Sequence, residues 1–179
     1  TRRFRLTRHS SPTAVADPLL AYRAEFPILE RCTYLVSNSL GAMPRAVPDR
    51  LQAYADAWRS EGVRAWAKGW WEMPVTVGDV VAPLIGAAAG EVGMVPTVTI
   101  AQSQVLTAIP FTRDRDTVVM TELDFPSVRY AIEALAPRLG ARVVVVPSDD
   151  GISIDQQRLH AAIDARTALV SVSHVLFRS

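Results

Sequence analysis

The stretch Pro96-Thr97-Val98-Thr99 places two hydroxyls where a β-like run gives way to a helical pattern. Unpaired backbone N–H groups in a helix's first turn, together with the helix dipole, make such a crossing a natural seat for a phosphate. A threonine there also serves as an ordinary helix cap. Asp124-Phe125-Pro126-Ser127 repeats the arrangement one unit later. Ligands of open α/β sheets bind outside the carboxyl ends of the strands, so Phe125 is placed to lie over a flat ring. The plainer alternative is a core aromatic followed by a serine cap. Ser171, Ser173 and His174 end a further strand-like run at the same edge. On a strand, Ser173 and His174 point to opposite faces, which argues against a Ser–His nucleophilic pair. Trp66, Trp70 and Trp71 suit a core, a subunit interface or an aromatic substrate. The sequence has no P-loop, no GxGxxG, no zinc-type Cys/His cluster and no GxSxG elbow.

The elements that must position these residues follow from periodicity. Residues 1–16, rich in Arg, Ser and Thr, read as a flexible tail, and Asp17 caps a short helix starting at Pro18. Residues 33–36 read as a strand. A helix over 45–60 gathers Val47, Leu51, Tyr54, Ala55 and Trp58 on one face and ends at Gly62. Another, after the tryptophans, gathers Val77, Val80, Val81, Leu84 and Ile85 and closes at Gly86 or Gly90. From Glu91 strands and helices alternate: strand 92–95, helix 98–109, strand 117–121, helix 126–139, strand 142–146 and strand 168–173. Between the last two, a helix begins at Ser153 with Gln156 completing a capping box. This alternation predicts an α/β fold, a parallel-rich sheet with helices on both faces. The run Val143-Val144-Val145-Val146 has the texture of a buried parallel strand. The expected organisation is a tail (1–16), an N-terminal helical arm with an opening segment (17–90) and the first part of an α/β domain (91–179).

With 49% hydrophobic and 21% charged residues among 179, the composition is that of an ordinary globular protein. A net charge of +1 gives no electrostatic case for nucleic acid. No apolar run reaches the length of a membrane span. The single cysteine, Cys32, excludes an internal disulfide, fits a cytoplasmic location, and is expected as a small buried hydrophobe.

In their order the segments resemble the kynureninases of the class V aminotransferase superfamily. Tyr34-Leu35-Val36-Ser37-Asn38-Ser39-Leu40-Gly41 with Pro44, Val63-Arg64-Ala65-Trp66 with Gly69-Trp70-Trp71, and Leu84-Ile85-Gly86-Ala87 with Gly90-Glu91-Val92 match that family's pattern. So do Phe125-Pro126-Ser127 and the run from Thr167 to Val175. The resemblance covers roughly residues 17–179 and implies a fold of the PLP-dependent transferase type with pyridoxal 5'-phosphate (PLP) as cofactor. It implies that Thr97, Val98 and Thr99 receive the cofactor phosphate, that Phe125 stacks on the pyridine ring, and that Ser173 lies beside the cofactor. Ser39 and Trp66 match positions that contact the substrate.

The implied reaction is hydrolytic Cβ–Cγ cleavage of kynurenine-like amino acids by a cytoplasmic homodimer, with no nucleic-acid or membrane partner. An aminotransferase, desulfurase or epimerase of the same superfamily, or a non-catalytic half-domain, is the alternative. Desulfurases usually place His over the ring, so Phe125 speaks against them. Three positions depart from the kynureninase pattern: Val128, where many carry Asp; Ala101, where many carry Asn; and Ser37, where Gly precedes Asn-Ser. The family's Schiff-base lysine and its pyridine-pairing aspartate are expected beyond Ser179, leaving no catalytic residue in this stretch. The chain alone is therefore expected to be inactive. Lys68 is the one lysine of the sequence and stands outside that lysine's context.

Overall fold

The structure is a computed structural model that describes residues 17–177. The tail expected over residues 1–16 lies outside the described residues. The chain divides into two compact units, the first ending at Ala65 and the second beginning at Trp66.

In the first unit Asp17 caps a 3-10 helix, Pro18–Glu25, its carboxylate accepting the Leu19 N–H. A second turn, Pro27–Glu30, follows. Arg45 ties both turns together, donating to the Ala24 carbonyl and pairing with Glu30. Helix α1, Val47–Glu61, ends at Gly62, whose φ of 55° and ψ of −132° suit a residue without Cβ. The expected apolar face of α1 is not buried: Leu51, Tyr54 and Trp58 are all exposed. Residues 33–36 form no strand, because they find no ladder partner among the described residues. Cys32 is exposed rather than buried. Its segment has no sheet to pack into.

The second unit opens on the tryptophan turn, Trp66–Trp70, where Gly69 takes a φ of 120°. Helix α2, Met73–Val81, runs into a 3-10 turn, Ala82–Ile85, closed by left-handed Gly86. Here the buried face differs from the expected one. Val80, Leu84 and Ile85 are exposed, while Gly78 and Ala82, one helical turn apart, are buried. The reason is a close backbone approach. A Cβ on Gly78 would lie 1.9 Å from the Val92 carbonyl oxygen, and the Met94 N–H donates to the Pro74 carbonyl at 2.9 Å. Residues 92–95 therefore lie along α2 and form no strand.

Helix α3, Val98–Ala108, leads to strand β1, Thr117–Thr121. Helix α4, Pro126–Leu135, continues through a 3-10 turn, Ala136–Leu139, to strand β2, Arg142–Val146. Helix α5, Gln156–Ala161, precedes strand β3, Thr167–Ser171. Its cap is Asp155, which accepts the Gln157 and Arg158 N–H groups. Ser153 does not start this helix; its N–H and hydroxyl are both held by Asp150. Those bonds also hold the Asp150 carboxyl well below the usual carboxylate range.

The three strands form a parallel sheet in the order β2-β1-β3. Central β1 is buried along its whole length, whereas the valine-rich β2 lies at an edge and is only partly buried. Val118 and Met120 face a core shared with Leu106 of α3 and Val128 and Ile132 of α4. Val143, Val145 and Leu169 from the flanking strands complete it. In register, Val118 lies between Val143 and Leu169, and Met120 between Val145 and Ser171. A polar residue thus stands in the second core layer, at the carboxyl end of β3.

Candidate functional site

The strand order decides where a ligand fits. The chain leaves β1 toward β2 on one side and returns to β3 on the other, so the crevice at the carboxyl ends of β1 and β3 is the topological switch point. Three polar bridges surround it, all within the second unit. Thr99 Oγ1 and Ser127 Oγ, each the second residue of its helix, share a hydrogen bond of 2.8 Å. The N-termini of α3 and α4 therefore stand side by side, their positive dipole ends at the same edge. Gln102 of α3 donates to Ser171 Oγ at 3.1 Å. Asp124 spans the crevice itself. Its Oδ1 accepts the Ser173 N–H at 2.8 Å and the Ser173 hydroxyl at 2.7 Å, and its Oδ2 accepts the Thr121 N–H and hydroxyl at 2.9 and 2.8 Å.

Of the five sequence-selected cofactor residues, Thr99 and Ser173 each take part in one of these bridges, and Thr97 and Val98 adjoin Thr99 in the chain. Thr97 is the N-cap of α3, accepting the Ile100 N–H, and is exposed. Val98 opens that helix. Thr99 reaches α4 through Ser127, and Ser173 reaches β1 through Asp124. The fifth, Phe125, immediately precedes α4, is 49% exposed, and stands at 5.2 Å from Phe177 in an edge-on ring contact. Strand β3 stops at Ser171, so Ser173 and His174 lie beyond it, and the expectation that they alternate across a strand does not hold.

Of the residues chosen for substrate, Ser39 belongs to the first unit and Trp66 begins the second. Ser39 lies in the turn 37–40, its N–H donating to Val36. Trp66 packs against Trp70 and Trp71, with ring centroids 5.6 and 4.8 Å away. Val128 is a core residue rather than a cleft residue.

Asp124, Ser127 and Gln102 were not singled out from sequence as site residues. Only proximity to Phe125 marked the first two, and the partners of Asp124 and Gln102 lie 49 and 69 residues away. A cavity of about 420 Å³ opens beside α4, lined by Glu122, Asp124, Arg129, Tyr130, Ser148 and Phe177 among others. None of Thr97, Val98, Thr99, Phe125 and Ser173 lines it. No helix among the described residues is long and apolar enough to cross a membrane.

The same stretch is matched by known proteins. A kynureninase of Burkholderia pseudomallei is 34% identical over 170 residues, and one of Shouchella clausii is 30% identical over 171. Each alignment covers 91% of this chain and 40% of the relative, so the chain spans about 40% of the length of the curated relatives it matches. Among solved structures, a lysine-to-alanine variant of C-DES with glycine covalently linked to its PLP cofactor superposes with a TM-score of 0.70 at 19% identity. It covers 87% of this chain and 41% of that one. The complex of the cystine C-S lyase C-DES with its product cysteine persulfide gives a TM-score of 0.67 at 17% identity, covering 85% and 41%. These similarities carry the fold. The family described as aminotransferase class-V matches residues 33–176, the first unit's extended segment and the whole sheet together, and the chain belongs to that family.

Proposed function

We propose that the β1–β3 crevice binds PLP and that this chain forms the cofactor-holding part of a kynureninase-like hydrolase acting on kynurenine-like amino acids. The observation that supports it is the convergence of Thr99, Ser127, Asp124 and Ser173 at the switch point, with the half-exposed Phe125 beside them. The donor chemistry fits PLP. The hydroxyls of Thr97 and Thr99 and the first-turn N–H groups of α3 suit a phosphate dianion. Phe125 offers a ring face for a pyridine, and Ser173 a small polar contact. When bound, PLP supplies an electron sink for the charge left on carbon as a substrate bond breaks.

In this reading the residues of the chain hold and orient. The start of α3 fixes the phosphate end. Phe125 sets the plane of the ring and keeps water off one face. Ser39 and Trp66 contact substrate, in a homodimer. The kynureninase reading is favoured over a C-S lyase because the kynureninase relatives reach 34% identity, while the lyase neighbours share only 19% and with it the fold. Hydrolysis of kynurenine at Cβ–Cγ yields alanine and 2-aminobenzoate, and release of the latter is the activity assay for a PLP-loaded protein that also supplies the Schiff-base lysine. The binding test is a fluorescence titration with PLP. Phe125→Ala and Thr99→Ala are each expected to weaken binding about tenfold or more. Unchanged affinity in both variants would remove PLP from this crevice.

A further inference from the structure

The hydrogen-bond pattern around Asp124 fixes more than the position of a loop. Asp124 is 4% exposed, and each of its carboxylate oxygens takes two donors: a backbone N–H and a hydroxyl from Ser173 on one, and the same pair from Thr121 on the other. A carboxylate accepts hydrogen bonds and donates none. At 2.7 Å the Ser173 hydroxyl proton therefore lies on the line to Asp124, and what Ser173 turns outward is lone pairs. Left to itself, a serine hydroxyl rotates to donate or accept as its neighbour requires. Here that freedom is gone.

We propose that Asp124 is a positioning residue that makes Ser173 a fixed hydrogen-bond acceptor toward the ligand of the β1–β3 crevice, so that the ligand meets it with an O–H or N–H donor. This rests on the crevice being the PLP site. Thr121 locks the arrangement from below. With both of its donors on Oδ2, the carboxylate cannot rotate to release Ser173 without breaking bonds on β1. Among the described residues only neutral donors meet the carboxylate, and Thr121 and Asp124 are both buried while Ser173 is exposed.

The experiment is a double-mutant cycle read as PLP affinity, with holoprotein fluorescence as the signal. Asp124→Asn replaces one of the two acceptor oxygens by an NH2, so one backbone N–H, of Ser173 or of Thr121, loses its acceptor and the hold on the Ser173 hydroxyl is loosened. The substitution is expected to weaken PLP binding about tenfold, as is Ser173→Ala. Combining the two should cost no more than Ser173→Ala alone, because Asp124 acts through that hydroxyl. Ser173→Thr, which keeps the hydroxyl, should stay sensitive to Asp124→Asn, as Ser173→Ala should not. If Asp124→Asn does not fold, Thr121→Val loosens the same carboxylate from outside the crevice. It should weaken binding in the Ser173 background and not in the Ser173→Ala background. Equal effects in both backgrounds overturn the proposal while leaving the PLP site standing. Loss of the Phe125→Ala and Thr99→Ala effects, or no PLP binding by the wild type, overturns the site and the proposal with it.

Discussion

Replacing Gly78 by alanine tests whether α2 and the segment leading to the crevice are joined as closely as the structure has them. An added Cβ would lie 1.9 Å from the Val92 carbonyl oxygen, 2.6 Å from its carbon and 3.2 Å from its Cβ, where ordinary contact begins at 3.4 Å. The obstacle is backbone, which cannot swing aside as a side-chain tip can. Relief requires residues 92–94 to move by more than an ångström, which sacrifices the Met94–Pro74 bond at about 0.5–1.5 kcal/mol. Overpacking strain adds about 1–3 kcal/mol. Against this, alanine is a better helix former than glycine by ~1 kcal/mol. The expected net loss is about 0.5–3.5 kcal/mol, read by urea denaturation as a lower midpoint at unchanged slope. Because this segment leads directly into Thr97, PLP affinity should fall as well. Gly93→Ala is the control: nothing lies within 4 Å of its Cβ, so its stability should stay within about 0.5 kcal/mol of wild type. A Gly78→Ala protein as stable as wild type would refute the close approach and, with it, the reason why residues 92–95 lie along α2 instead of in a sheet.

Other outcomes follow from single residues. At Asp116, the hydrogen bond from Arg166 is the largest influence and holds the carboxyl below its usual 3.8. A lowered native value contributes stability that is fully present above 3.8 and is lost as pH falls through the native value. The melting temperatures of wild type and Asp116→Asn should therefore converge as pH drops below 3.8, and a constant gap would contradict the pairing. Gly62→Ala meets no atom within 4 Å, so its cost is purely conformational, about 1–3 kcal/mol, seen as a lower melting temperature. Met120→Ala empties the centre of the core and should cost about 2–5 kcal/mol in denaturant titration. A loss under ~1 kcal/mol would place Met120 outside the close-packed layer.

Strands β1 and β2 were legible to the residue, since each is a short β-branched run between charged or turn-forming neighbours. Helices α3 and α4 were legible from their threonine and proline starts. What failed depended on partners far away in sequence. Residues 33–36 and 92–95 have strand texture, but a strand exists only where a ladder partner does. Gly78 and Ala82 carry no large side chain, so apolar periodicity does not mark the face that α2 and the turn after it bury. Phe125 and Ser173 were legible as site candidates through the family resemblance together with their place at strand ends. The bond that joins Ser173 to Asp124 was not, because no local pattern relates residues 49 apart.

The two ends of β1 are each fastened by an aspartate, and the two fastenings answer differently to dissolved ions. At the amino end Asp116 is held by Arg166 and faces Arg142, charge against charge, with both arginine side chains half exposed. At the carboxyl end Asp124 is buried and is held by N–H and O–H groups of Thr121 and Ser173. Screening over a Debye length of about 8 Å at physiological ionic strength reaches the exposed pairs and leaves buried neutral-donor bonds nearly untouched. As the solution becomes saltier, the sheet is therefore expected to loosen first at the edge remote from the crevice, while the geometry that faces a ligand stays set.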